Sequence, residues 1–254
     1  MVRVITLFAA LVVLAYLALC AALFAFQRSL IYFPQPRSTG SDATTLPLAV
    51  AGAELMISAR QAAGPKAIIY FGGNAEDVSS SLPSLSEAFP AHAIYMLHYR
   101  GYGGSTGSPT EEAIQGDALA LFDLVRRKHT DIAVVGRSLG SGVAVRVASQ
   151  RPVSRLVLVT PYDSLQDLAA KQFPYFPVKW LLIDKFESWR YAPQVTAPTL
   201  LIAAEHDEVI PKWSSDRLYT RFKDGAAKLE VLPGTSHNTI SLSPRYLKLL
   251  QSAL

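Results

Sequence analysis

Between positions 132 and 150 a run of apolar, partly β-branched residues, Ile132-Ala133-Val134-Val135, ends on Gly136, and a helical pattern opens near Gly140. The turn between them reads Gly136-Arg137-Ser138-Leu139-Gly140. A serine caught between a buried strand and the start of a helix is forced into a strained, exposed conformation. Glycines two residues to either side remove the side chains that would collide there. Such a turn requires a sheet whose strands end on one common edge, each followed by a helix that packs back across it.

The rest of the chain fits that requirement. Beyond residue 47, short β-rich runs alternate with longer helical patterns, as expected for a mostly parallel sheet with helices on both faces. Strands are expected at 54–59, 67–71, 93–99, 132–136, 156–160, 199–204 and 228–232, and helices at 111–128, 140–150, 214–221 and 243–252. Residues 164–192 break the alternation. Seven aromatic residues, from Phe173 to Tyr191, are spaced there around Pro174 and Pro177, which reads either as a small cap over an acyl pocket or as a satellite core.

The amino-terminal end is of another kind. Residues 5–26 contain no charged side chain. As a helix they extend roughly 33 Å, enough to cross a hydrocarbon core of roughly 30 Å. The run exceeds the apolar region of about 7 to 15 residues in a cleaved signal, and no small-residue cleavage site closes it. A retained single-pass anchor over 1–27 is expected, then a connector over 28–47 broken by Pro34, Pro36 and Gly40, then one domain over 48–254.

Charge follows the same division. The net charge of +4 comes largely from Arg3, Arg28 and Arg37, which flank the apolar run, while no acid precedes Asp42. The remainder is close to neutral and has no basic, aromatic-interleaved run, so nucleic acid is not an expected partner. Basic residues at both ends of the anchor compete over its orientation, with the non-cytoplasmic side favoured for the domain. The lone cysteine, Cys20, lies inside the apolar run, which leaves the domain without disulfide or thiol nucleophile. No His/Cys/Asp cluster has the spacing of metal ligands, and no cofactor is implied.

A serine hydroxyl needs a base, and the base needs an orienting acid. Asp207 lies in the loop Glu205-His206-Asp207-Glu208 after the strand at 199–204, with Glu205 and Glu208 as solvated neighbours. His237 follows the last expected strand, giving the chain order Ser138, Asp207, His237. Asp163 is the fallback acid. His92 and His129 read as surface residues, while His98 and His206 are candidates for the rim of the site. The oxyanion would be held by backbone N–H groups of Leu139, just after the serine, and Asn74, in Gly72-Gly73-Asn74-Ala75.

The turn, the Gly-Asn-Ala stretch, Tyr99-Arg100-Gly101-Tyr102-Gly103, Pro161-Tyr162-Asp163-Ser164-Leu165, Asp207-Glu208-Val209-Ile210-Pro211 and Ser236-His237 together resemble the membrane-anchored α/β-hydrolase-domain serine hydrolases. That branch includes depalmitoylase-like members and lies near the prolyl-oligopeptidase-like enzymes. The resemblance extends over nearly the whole chain, including Gln27-Arg28-Ser29-Leu30-Ile31-Tyr32 behind the anchor. It implies the α/β-hydrolase fold, Ser138, Asp207 and His237 as triad, and Asn74 and Leu139 at the oxyanion hole. One departure stands out: the family pattern begins His-Gly-Asn-Ala, and Gly72 occupies the histidine position. Glu76 also brings a negative charge close to this loop.

The function expected is hydrolysis of an ester or thioester through an acyl-serine intermediate, on a small-molecule or lipid-like acyl substrate. Cleavage of short peptides is a second enzymatic reading, and an idle hydrolase fold serving as a membrane-attached binding protein is the rival from another class. Because every residue assigned to chemistry lies beyond Gly72, the anchor is expected to set location and access to membrane substrates and to contribute nothing to the transition state.

Overall fold

The computed structural model describes residues 1–38 and 44–254; Gly40 of the expected connector lies outside them. Helix α1 (Val2–Ile31) is followed by β1 (Thr45–Val50), β2 (Ala53–Arg60), β3 (Lys66–Phe71), α2 (Leu82–Ala88), β4 (Ala93–Leu97), α3 (Glu111–Arg126), β5 (Asp131–Arg137), α4 (Leu139–Gln150) and β6 (Arg155–Val159). Next come α5 (Leu165–Gln172) and α6 (Val178–Leu181), then β7 (Thr199–Ala204), α7 (Lys212–Tyr219), β8 (Ala227–Leu232) and α8 (Pro244–Ala253).

The strands form one eight-stranded sheet in the order β1-β2-β4-β3-β5-β6-β7-β8. β1 and β2 pair antiparallel, as do β2 and β4, and every later pair is parallel. Side chains alternate across the central strands. Ala67, Ile69 and Phe71 of β3 join one apolar layer with Leu121 and Phe122 of α3 and Val143 and Val147 of α4. Ile68 and Tyr70 join the opposite layer with Leu85 of α2 and Tyr246 and Leu250 of α8. The sheet is therefore covered on both faces, as expected.

Outside the insertion, β1 and α2 had no clear local signal. β1 contains Pro47, which normally argues against a strand, but β1 is the sheet edge and Pro47 is exposed, so its missing N–H costs no ladder bond. α2 is preceded by a serine-rich 3-10 turn in which Asp77 accepts from Ser79 N–H. That cap supplies a start the serines concealed.

Strand order reverses on either side of β3, which lies between β4 and β5. Chains that leave β3 and β5 at their carboxyl ends diverge there, and the crevice so formed is where ligands bind in open α/β sheets. Gly72–Asn74 leave β3 and Ser138 leaves β5 at this crevice.

α1 is long and apolar enough to cross a membrane. It continues past residue 27, where the anchor was expected to end, to Ile31. The last turns are held by the insertion that follows β6: Gln27 donates to the Leu181 carbonyl at 3.1 Å and accepts from Ile183 N–H at 2.7 Å. Arg28 and the Tyr32 hydroxyl both reach Asp184, at 3.1 and 3.0 Å.

Candidate active site

Ser138 stands between β5 and α4 with φ 49° and ψ −118°, a conformation a non-glycine residue rarely adopts. Its N–H donates to Val159 O at 2.9 Å and its carbonyl accepts from Ser141 N–H at 2.9 Å, which fixes the turn from both sides. The flanking glycines are required by close approach. A Cβ on Gly136 would lie 2.3 Å from the Gly140 oxygen, and one on Gly140 would lie 2.1 Å from the Phe71 oxygen.

The three residues expected from chain order meet here. Ser138 Oγ is 3.0 Å from His237 Nε2, and His237 Nδ1 is 2.9 Å from both Asp207 carboxylate oxygens. Asp207 Oδ1 also accepts from Val209 N–H at 3.0 Å and Ile210 N–H at 2.6 Å, so the carboxylate is held by its own loop. The His237 and Asp207 side chains are almost fully buried. An Nδ1–H directed at Asp207 leaves Nε2 as the acceptor for the serine hydroxyl.

Asp163 does not share in this arrangement. It is fully buried beside Arg217 and Arg221, 2.9 and 3.7 Å away, in ion pairs without hydrogen-bond angles, and no bond joins it to His237. Burial holds its pKa above the usual carboxylate value despite the two arginines. Glu205 and Glu208, expected to be merely solvated, are exposed but accept from the loop that carries the histidine: Glu205 from Gly234 N–H at 2.7 Å, Glu208 from His237 N–H at 3.2 Å.

The other histidines have structural environments. His129, read as a surface residue, is buried, because its two ring nitrogens bond the Tyr95 hydroxyl and the Gly64 carbonyl and so join the strands to the end of α3. His92 is half-buried. His98 bonds Ser58 Oγ at 2.8 Å, away from the crevice. His206 is exposed and faces Glu205.

Leu139 is the first residue of α4, so its N–H has no acceptor within the helix. Across from it runs the loop after β3, where a Cβ on Gly73 would come 3.6 Å from Ser138 Cβ. Among the described residues the Asn74 N–H has no hydrogen-bond acceptor. The Asn74 side chain instead donates to Ile31 O and accepts from Phe33 N–H at 3.1 Å and the Tyr102 hydroxyl at 2.8 Å.

Glu76 organises this loop. Its carboxylate accepts from Gly73 N–H at 2.7 Å, the Tyr70 hydroxyl at 2.8 Å and Arg137 at 3.1 Å. Arg137 reaches on to the His237 carbonyl at 3.3 Å. Burial disfavours the Arg137 charge, but Glu76 outweighs it and the guanidinium pKa is raised. The residue at the free position of the Gly-x-Ser-x-Gly turn thus ties the β3 loop to the histidine loop. The histidine of the family pattern has no room at position 72, since even a Cβ would lie 2.3 Å from Val78 Cγ1.

Ser138 opens onto a cavity of about 600 Å³. Phe173 and Phe176 of the insertion and Trp213 of α7 line it. Leu23, Gln27, Leu30 and Ile31 of α1 line it too.

A model of the α/β-hydrolase fold matches residues 66–182, which hold both the β3 loop and the Ser138 turn. An uncharacterized protein of Mycobacterium tuberculosis is 34% identical over 254 residues, covering 90% of this chain and 88% of that protein. Lysophosphatidylserine lipase ABHD12 of Rattus norvegicus is 28% identical over 223 residues, 74% of this chain but 55% of the lipase, so the chain spans about half of that relative. Among solved structures, the enol-lactonase from Burkholderia xenovorans LB400 superposes with a TM-score of 0.64 at 16% identity, covering 82% of this chain and 98% of the enzyme. The matched fold model, the sheet topology and a relative aligned over 90% of the chain agree: the chain belongs to the α/β hydrolases.

Proposed function

We propose that this chain is a membrane-anchored serine hydrolase that cleaves a carboxylic ester or thioester of a lipid-like acyl group, with Ser138 as nucleophile, His237 as general base and Asp207 as the acid that orients the base. The observation that carries this reading is the unbroken chain of contacts from Asp207 through His237 to Ser138 Oγ at 3.0 Å, on a serine held at positive φ. Ser138 Oγ attacks the acyl carbonyl as its proton passes to His237 Nε2. The oxyanion is held by the N–H groups of Leu139 and Asn74, and the alcohol or thiol leaves with the proton from His237. Water then attacks the acyl-serine by the same route and releases the acid.

The cap, residues 164–192, and the α1 residues give the cavity apolar walls suited to an alkyl chain. The relative named as a lysophosphatidylserine lipase favours an oxygen ester with one acyl chain. The test is labelling by a fluorophosphonate, which reacts only with an activated serine. Wild-type protein is expected to label and Ser138→Ala to remain blank. Equal labelling of both would remove Ser138 from the mechanism.

A further inference from the structure

We infer that the tip of the cap sits inside the membrane leaflet beside α1, and that the cavity at Ser138 takes a single-chain acyl amphiphile sideways from that leaflet. This rests on the hydrolase reading above and adds where the substrate comes from.

The depth of the tip follows from α1. A hydrocarbon core needs about 20 helical residues, and the charge-free run available lies between Arg3 and Arg28. Wherever 20 residues are placed in that run, the domain-side boundary falls between Leu23 and Gln27. Tyr16 then lies roughly 10 to 16 Å inside the core at the helical rise per residue. Tyr16 is bound to the cap: its hydroxyl donates to Tyr175 O at 2.9 Å and its ring stacks on Phe176, with centroids 5.9 Å apart. The segment around Tyr175 and Phe176 is therefore carried to the same depth.

The tip's composition suits that position. Residues 168–183 contain no acid, and their two charges are Lys179 and Lys171, whose ammonium lies 4.5 Å from the centre of the Trp213 ring. Tyr175 and Trp180 are 85% and 87% exposed, and Phe173 and Ile183 are about half exposed. In water this would be an unfavourable apolar patch, whereas beside a spanning helix it continues the same lipid-facing surface.

Tyr16, Cys20, Leu23 and Gln27 recur at helical spacing on one stripe of α1. At the lower end the stripe meets the cap tip, and at the upper end Leu23 and Gln27 become cavity wall. The wall runs from the level of the acyl chains up to Ser138. An amphiphile keeps its tail against Leu23, Phe173 and Phe176 while its carbonyl reaches the serine, without passing through water.

The experiment uses full-length protein in phosphatidylcholine vesicles. Lipids brominated high on the acyl chain are expected to quench a tryptophan signal that disappears in Trp180→Phe. The double variant Tyr175→Asp, Trp180→Asp should lose at least tenfold in turnover of vesicle-embedded 4-methylumbelliferyl palmitate and stay within twofold on soluble p-nitrophenyl acetate. Absence of bromolipid quenching, or an equal change on both substrates, overturns the proposal. Fluorophosphonate labelling in the same vesicles separates the two readings. Labelling without quenching keeps the hydrolase and overturns the leaflet seating, whereas quenching without labelling overturns the hydrolase reading and the substrate assignment with it.

Discussion

The Asn74 side chain donates to the carbonyl of Ile31, the last residue of α1, and accepts from Phe33 N–H just beyond it. Asn74, which lines the cavity at Ser138, is thus tied through its side chain to the end of α1.

Asn74→Ala keeps the backbone donor but releases the tie, leaving Ile31 O, Phe33 N–H and the Tyr102 hydroxyl without this partner. A loop displaced by about 1 Å costs on the order of a hundredfold in rate. The expected outcome is a fall in kcat of about tenfold to a hundredfold on p-nitrophenyl acetate with KM little changed. Asn74→Asp, which retains an acceptor for Phe33 and Tyr102, should recover part of the loss. Full activity in Asn74→Ala would show that the loop holds its position without the helix.

The two buried aspartates are expected to separate by readout. Asp207→Asn replaces the acceptor-only carboxylate with an amide that can donate to Nδ1 and favour the wrong His237 tautomer, and should lower kcat by about four orders of magnitude, with the unfolding midpoint nearly unchanged. Asp163→Asn removes a charge whose burial outweighs the pull of the half-exposed Arg217 and Arg221, so it should change stability by less than about 1 kcal/mol while kcat stays within a few-fold. Steady-state kinetics and thermal unfolding of the same samples decide; a collapse of kcat in Asp163→Asn would reassign the acid.

Glu76 and Arg137 form an ion pair with side chains only 10% and 17% exposed. Glu76→Gln deprives the Arg137 guanidinium of its counter-charge and should destabilise by about 3 kcal/mol. It should also slow turnover, because Gly73 and Ser138 lie on the same contact. Joint replacement by Glu76→Gln and Arg137→Met should restore more stability than activity, measured as unfolding midpoint against kcat. Independent, additive effects of the two substitutions would argue against a coupled pair.

Burial lowers the His98 pKa to about 4 from 6.5, against the pull of Asp77 and with a smaller push from Arg37. In the window between those values the unfolded chain binds a proton that the folded chain refuses. Stability is therefore retained above about pH 6.5 and falls as pH drops toward 4, by up to about 3 kcal/mol from this group. His98→Gln should flatten that part of the profile of unfolding midpoint against pH. An unchanged slope would assign the acid sensitivity to other groups.

How much of this was legible in the chain depends on how local each feature is. The strand, strained serine and helix at 132–150 are fixed by residues that touch their near neighbours, and glycine spacing reports those collisions directly. The chain order of Ser138, Asp207 and His237 follows from the same logic at three strand ends, since each strand end carries its loop to one edge of a parallel sheet. The long uncharged run announced a helix of membrane length because a bilayer constrains length and polarity and little else.

What escaped the sequence depends on partners far away in the chain. Pro47 sits in a strand because tertiary pairing made that strand an edge, and His129 is buried because Tyr95 and Gly64 satisfy both its nitrogens. Glu76 read as a charge opposed to an oxyanion until Arg137, 61 residues on, was found to neutralise it. The role of α1 was the furthest from view. Gln27 and Arg28 find their partners in the cap 154 to 156 residues later. Those polar contacts carry the helix past its apolar run and into the wall of the cavity. Local pattern determines which elements form, whereas the pairing of buried polar groups across the fold decides which of them share a site.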